Sequence, residues 1–234
     1  GTLIIILVVL SIAKVKKEPK AAEGGSREPS DEIFKWTVFS LIAFISLGTT
    51  FYLSASTVYL NMKSDTGGPV HWHADFRIFN CGKELTLIEP TGLSNKIGTT
   101  VLHEHADKRI HVEGVVVNEA EISLHSFFEV IGGSLDYGDF AVPTDEGNVW
   151  IVDGKKCEDG RAGQLQVFLY KTEGDVIKQK KLLNYPEYVL SRHSQIPPGD
   201  CIIFEYISEK KEKTDKICTF TQIAINEGRY KYGD

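Results

Sequence analysis

Apolar positions fall into three patterns along the chain, and each predicts a different kind of element. Residues 36–62 are 27 positions without a charge, bracketed by Lys35 and Lys63. Phe39, Leu41, Ile42, Phe44, Ile45 and Leu47 leave no polar stripe on a helix until Thr49 and Thr50. A helix of that length reaches about 40 Å, more than the roughly 30 Å of a bilayer's hydrocarbon core. Trp36 near one end and Tyr59 near the other suit the two interfacial belts. A transmembrane helix over 36–62 is therefore predicted. The apolar run at residues 2–13 is too short to span and is followed by Lys14, Lys16 and Lys17, so 1–13 reads as the end of a truncated transmembrane or signal-anchor segment. Residues 14–35, rich in Lys, Pro, Gly and Ser, read as a solvated linker.

Beyond the long run the pattern turns to short strands. They are predicted at 76–79, 85–88, 110–117, 165–170, 201–207 and 217–225. Leu165, Val167 and Leu169 alternate with Gln164, Gln166 and Phe168, whereas Ile202, Ile203 and Phe204 run on continuously as in a central strand. One segment has helical spacing. Ser123 caps it, Leu124, Phe127, Phe128 and Ile131 share a face, and Gly132-Gly133 ends it. Strands, one short helix, then strands predict an α+β domain over 66–234 with a mostly antiparallel sheet. The late Gly-Asp turn into 201–206, paired with 164–171, suggests a β-grasp-like order, with a β-sandwich as the alternative.

Charge adds sidedness. The basic residues Lys14, Lys16, Lys17, Lys20, Arg27 and Lys35 precede the predicted span, while Lys63 is followed by no Lys or Arg until Arg77. The positive-inside rule then puts 14–35 in the cytoplasm and 66–234 outside the cell membrane. The net charge of −6 and the lack of a basic patch argue against a nucleic-acid partner. Cys81, Cys157, Cys201 and Cys218 all follow the span, and none forms a C-x-x-C pair. An even count in an exported domain favours two disulfides; three pairings are open. Cys201 with Cys218, flanking the charged tip 209–216, is favoured, which leaves Cys81 with Cys157.

Six of the seven histidines lie between residues 71 and 125. His71 and His73 form one His-x-His pair, His103 and His105 another, and alternate strand residues share a face. A hairpin turning at Asp107-Lys108-Arg109 is expected to set His105 opposite His111 and His103 opposite Glu113. Three imidazoles and a carboxylate on adjacent strands suit zinc or copper. The predicted ligands are His103, His105, His111 and Glu113, with His71, His73 and Asp75 completing that site or a second one. His125 and His193 read as packed or solvated histidines.

His71-x-His73-x-Asp75 resembles the start of the metallo-β-lactamase motif His-x-His-x-Asp-His, in which the Asp serves a second zinc, but Phe76 stands at the last position. Over most of residues 71–220, the segments HWHADFRIF, LHEHADKRIHVEG and SFFEVIGG resemble a group of membrane-anchored exported bacterial and archaeal proteins. That resemblance implies one intact domain and no particular reaction. The leading expectation is a membrane-tethered extracytoplasmic domain that binds zinc or copper. Its alternatives are a metal-dependent hydrolase with Glu104 or Glu113 as base, and a metal-free structural module partnered by subunits of a membrane complex. No Gly-x-Ser-x-Gly, Walker or dinucleotide motif is present.

Overall fold

A computed structural model describes residues 29–190 and 199–233. The 1–13 segment, the linker up to residue 28 and His193 lie outside the described residues. The chain divides into two compact units, Gly1–Ser54 and Ala55–Asp234.

Helix α1 runs Pro29–Lys63 and starts earlier than its apolar run. Proline has no N–H to lose in a first turn, and Asp31 and Glu32 complement the helix dipole there. Residues 29–35, expected to be linker, therefore belong to the helix: their charges are those of a helix start. Thr37, Thr49 and Thr50 donate to the carbonyls of Ile33, Ile45 and Ser46 at 2.8 Å, so these hydroxyls are satisfied within the helix. Trp36, Phe39, Phe44, Leu47 and Phe51 are exposed. Among the described residues this is the one helix long and apolar enough to cross a membrane.

The second unit is α+β and mostly antiparallel. Its strands are β1 (Pro69–Asn80), β2 (Lys83–Leu85), β3 (Ile97–Gly98), β4 (Leu102–Glu104), β5 (Arg109–Val115), β6 (Ser134–Asp136), β7 (Asp139–Thr144), β8 (Gly147–Val152), β9 (Gln164–Glu173), β10 (Val176–Leu182), β11 (Asp200–Ile207) and β12 (Lys231–Gly233). The main sheet has the order β12-β10-β9-β11-β1-β5-β4-β3, with β2 paired to β1; β6-β7-β8 form a second sheet. At its centre, β5-β1-β11-β9, the first long strand lies parallel to the last, and the early and late antiparallel partners flank them. That is the β-grasp order expected from the sequence.

Alternation sorts the side chains of the main sheet onto two faces. Trp72, Ala74, Phe76, Ile78, Ile110, Val112, Val167, Ile202 and Phe204 join the larger core. Helix α2 (Leu124–Val130) and Leu135, Phe140, Val142 and Ile151 of the second sheet cover it. The predicted cap forms: Ser123 Oγ accepts from the Ser126 amide, and Gly132 at φ +93° lies just past the helix end. Phe128 meets Phe76, Phe140 and Phe204 edge-on, with ring centres 4.6 to 6.4 Å apart.

The opposite face is divided. Phe79, Phe168, Tyr170, Ile177, Cys201 and Ile203 form a smaller core under the loop after β11 and helix α3 (Thr219–Asn226). Residues 217–225 were expected to be a strand. Their Ile and Thr content has strand character, yet Thr221 and Ala224 repeat at helical spacing and are the buried positions. The remaining part of this face, on β1, β5 and β4, carries the histidines. Cys81 stands at disulfide-bonding distance from Cys157, and Cys201 from Cys218, with Cα separations of 5.5 and 5.7 Å. The second pair ties the start of β11 to the first turn of α3.

Candidate metal centre

Three neighbouring strands bring five imidazoles together. In the β1–β5 register His71 lies opposite Glu113, His73 opposite His111 and Asp75 opposite Arg109. In the β4–β5 register His103 lies opposite His111. The hairpin was expected to place His105 there, so the pairing is shifted by two residues. The turn is longer than expected: Ala106 and Lys108 both take left-handed backbone angles, φ +62° and +59°, and residue 105 is already outside the strand. A two-residue shift preserves the face, so the imidazoles still converge.

Two groups of ligand atoms lie within 4.8 Å of one another: His71, His73, His111 and Glu113, and His103, His105 and His111. The ring centres of His103, His105 and His111 are 4.8, 4.8 and 5.5 Å apart. Three imidazoles bound tetrahedrally at about 2.0–2.1 Å would hold their centres about 5 Å apart. The spacing would accommodate one metal ion.

The hydrogen bonds leave lone pairs for that ion. Carboxylate and carbonyl oxygens only accept, so each ring nitrogen hydrogen-bonded to one must donate. His111 Nε2 donates to Asp107 at 2.9 Å, and His111 Nδ1 is buried without a partner. His105 Nδ1 donates to the Asn95 carbonyl, which leaves Nε2 as the acceptor. His103 is 1% exposed and neither of its nitrogens has a hydrogen-bond partner. His73 Nδ1 is buried and unpartnered as well. Metal-binding histidines are held in this way, the outer nitrogen fixed by an oxygen and the inner lone pair free.

Electrostatics keep two of these rings neutral. Burial, helped by the charges of Arg109, His111 and His71, lowers the His73 pKa to about 4. Burial and then Lys96 lower that of His103 to about 4. Ligand imidazoles must be neutral, so less proton competition remains near pH 7. Burial alone would raise the Asp107 pKa, but its bonds to His111 and the Arg109 amide outweigh that and bring it below the usual value.

Not every expected ligand joins. Asp75 accepts from Arg109 Nε at 2.7 Å and enters neither group. Burial lifts its pKa to about 6 even against the pull of Arg109. Arg109 in turn lies 4.8 Å from the Phe220 ring of α3. Glu104 points to the other side of β4, where it lines a pocket with Phe76, Ile78, Leu85 and Lys108. As a catalytic base for the histidines it is misplaced. His125 is on α2, bonded to the Leu135 carbonyl at 2.8 Å and outside both groups. Asp107 was read as a turn residue; its spacing four before His111 was the available signal. The Asn95 carbonyl has no side-chain signal at all.

No known protein family, curated protein or solved structure matches this chain.

Proposed function

We propose that the chain is a membrane-tethered protein whose extracytoplasmic domain binds zinc or copper through His103, His105 and His111, with His71, His73 and Glu113 alongside. The carrying observation is His103: fully buried, with no hydrogen bond to either nitrogen, amid four other imidazoles. An orphaned buried polar group costs about 1–3 kcal/mol, and a bound ion would offset that cost. Imidazole and carboxylate donors suit zinc and Cu(II). The four cysteines are paired with one another, and the single methionine, Met62, is in α1, so thiolate and thioether ligands are remote from this reading.

The exposed apolar surface of α1 supports the tether. Two cysteine pairs suit an oxidising compartment, and the basic residues before α1 support a cytoplasmic side for that end. Elemental analysis of the full chain, purified in detergent without a His tag, tests the metal reading. At least one zinc or copper per chain is expected, lost on His105→Ala and kept on His125→Ala. Absence of both metals from purified and reconstituted protein would favour the structural-module alternative.

A further inference from the structure

Glu113 stands between the two histidine groups. On one side its Oε1 lies 3.0 Å from His71 Nε2. On the other its Oε2 lies 3.8 Å from His103 Nε2. Two donors on one ion at about 2.0–2.1 Å are about 3.3 Å apart when tetrahedral, so each oxygen is placed to share an ion with a different histidine. The strand order explains the placement. β5 lies between β1 and β4, and its outward residues His111 and Glu113 reach toward His71 and His73 on β1 and toward His103 on β4, with His105 just past the end of β4.

We infer, building on the metal-binding reading above, that the cluster is a two-ion centre in which the Glu113 carboxylate bridges one ion on the β1 side to another on the β4 side. Ions bridged in this manner stand about 3.5–4 Å apart. The imidazole of His111 is not the bridge. Its Nε2 is held by Asp107, so one nitrogen remains and serves one ion. Assigned to His103 and His105, it gives the β4-side ion three imidazoles, with Glu113 Oε2, 3.8 Å from His103 Nε2, turning in as the fourth donor. The β1-side ion then has His71, His73 and the other oxygen, with a position left over. The His71 side chain is 64% exposed, so that position faces solvent, where a water molecule or small anion would bind. One ion is thus buried and fully held by protein, and the other is open to exchange.

Cu(II) titration of the metal-free full chain in detergent, read by elemental analysis and electron paramagnetic resonance, tests this. Two copper ions per chain are expected, with an integrated spin signal well below two because a bridged pair couples magnetically. His71→Ala/His73→Ala should bind one copper with an ordinary uncoupled spectrum. Glu113→Gln should restore the uncoupled signal and weaken the second ion by about tenfold or more, the scale on which even outer-shell partners act. Near-UV circular dichroism should show all variants folded, since His71, His73 and Glu113 are exposed or half-buried. Saturation at one ion, or two ions with independent spins, would overturn the two-ion centre and leave the metal-binding reading standing. No copper and no zinc bound would overturn the reading beneath it.

Discussion

The face of the main sheet opposite α2 has two halves, and the carboxylate network of one differs from the imidazole cluster of the other. Under α3 and the loop after β11, Glu205 is buried but accepts from Lys211 Nζ and Thr214 Oγ1, both at 2.8 Å. Gln166 beside it accepts from Lys181 and the Lys211 amide and donates to the Glu209 carbonyl. On the β1-β5-β4 half, imidazoles are packed together with nitrogens facing no partner. Among the described residues, six of the ten buried unpartnered side-chain atoms belong to His73, Asp75, His103, Arg109 and His111, and three, on Thr172, Gln179 and Thr221, belong to the α3 half. The same sheet thus contains one polar network closed by its own side chains and another left open. Folded stability explains the first, and on the reading proposed above a bound ion completes the second.

Mutation should separate the halves by which property it damages. The largest stability effect is expected at Glu205→Ala. It leaves Lys211 and Thr214 without their acceptor and should cost about 3–5 kcal/mol in denaturant unfolding, as breaking buried pairs does. Metal content should not change. His103→Leu should do the reverse. Removing an unpartnered ring in favour of an apolar side chain should shift metal-free stability by less than about 1 kcal/mol, while zinc affinity in competition titrations should fall by about a hundredfold or more. A His103→Leu protein that binds zinc normally would erase the contrast. Asp107→Asn comes next. It keeps a hydrogen-bond partner for His111 but removes the charge, and about a tenfold loss of affinity is expected.

The smallest effect is on pH dependence. The His73 and His103 pKa values fall from 6.5 to about 4 on folding, so between those values the unfolded chain binds more protons. Their contribution to stability is present above about pH 6.5 and is lost as pH falls toward 4. Asp75, raised from 3.8 to about 6, acts in the opposite direction within that window. Two groups against one should make the metal-free protein melt lower at pH 5 than at pH 7. His103→Leu should flatten that difference. An unchanged slope would remove His103 from the account.

The histidine-bearing face was legible from the sequence because alternation has a period of two: His71, His73, His103 and His111 had to share a side if these segments were strands. Register was less legible. It depended on a turn whose left-handed residues are Ala106 and Lys108, neither of which advertises such a conformation as Gly or Asn does. The fate of Asp75 was hidden for another reason, since Arg109 is 34 residues away in sequence and meets it only across the sheet. Helix α2 could be read from its cap and apolar face, whereas α3 could not, its β-branched composition overruled by packing over Cys201 and Ile203. The second sheet, β6 to β8, drew no expectation, because its short strands in residues 134–152 are broken by Gly, Pro and Asp.

The parallel pairing of β1 with β11 sets the order in which the protein can be assembled. All six candidate ligands come from residues 71–113, so the hairpin-like β1-β5-β4 portion is available early from a growing chain. The other long edge of β1 waits for residues 200–206, since Ala74 is in register with Asp200 and Asn80 with Tyr206. Until then β1 presents unpaired backbone and buried-type side chains such as Phe76 and Ile78, the template on which strands from other chains add. Non-local pairing of this kind also slows folding. Nascent chains that stall before residue 200 should therefore be the aggregating species, and ions captured by the early histidines would hold β1 and β5 in register while the last strand is still to come.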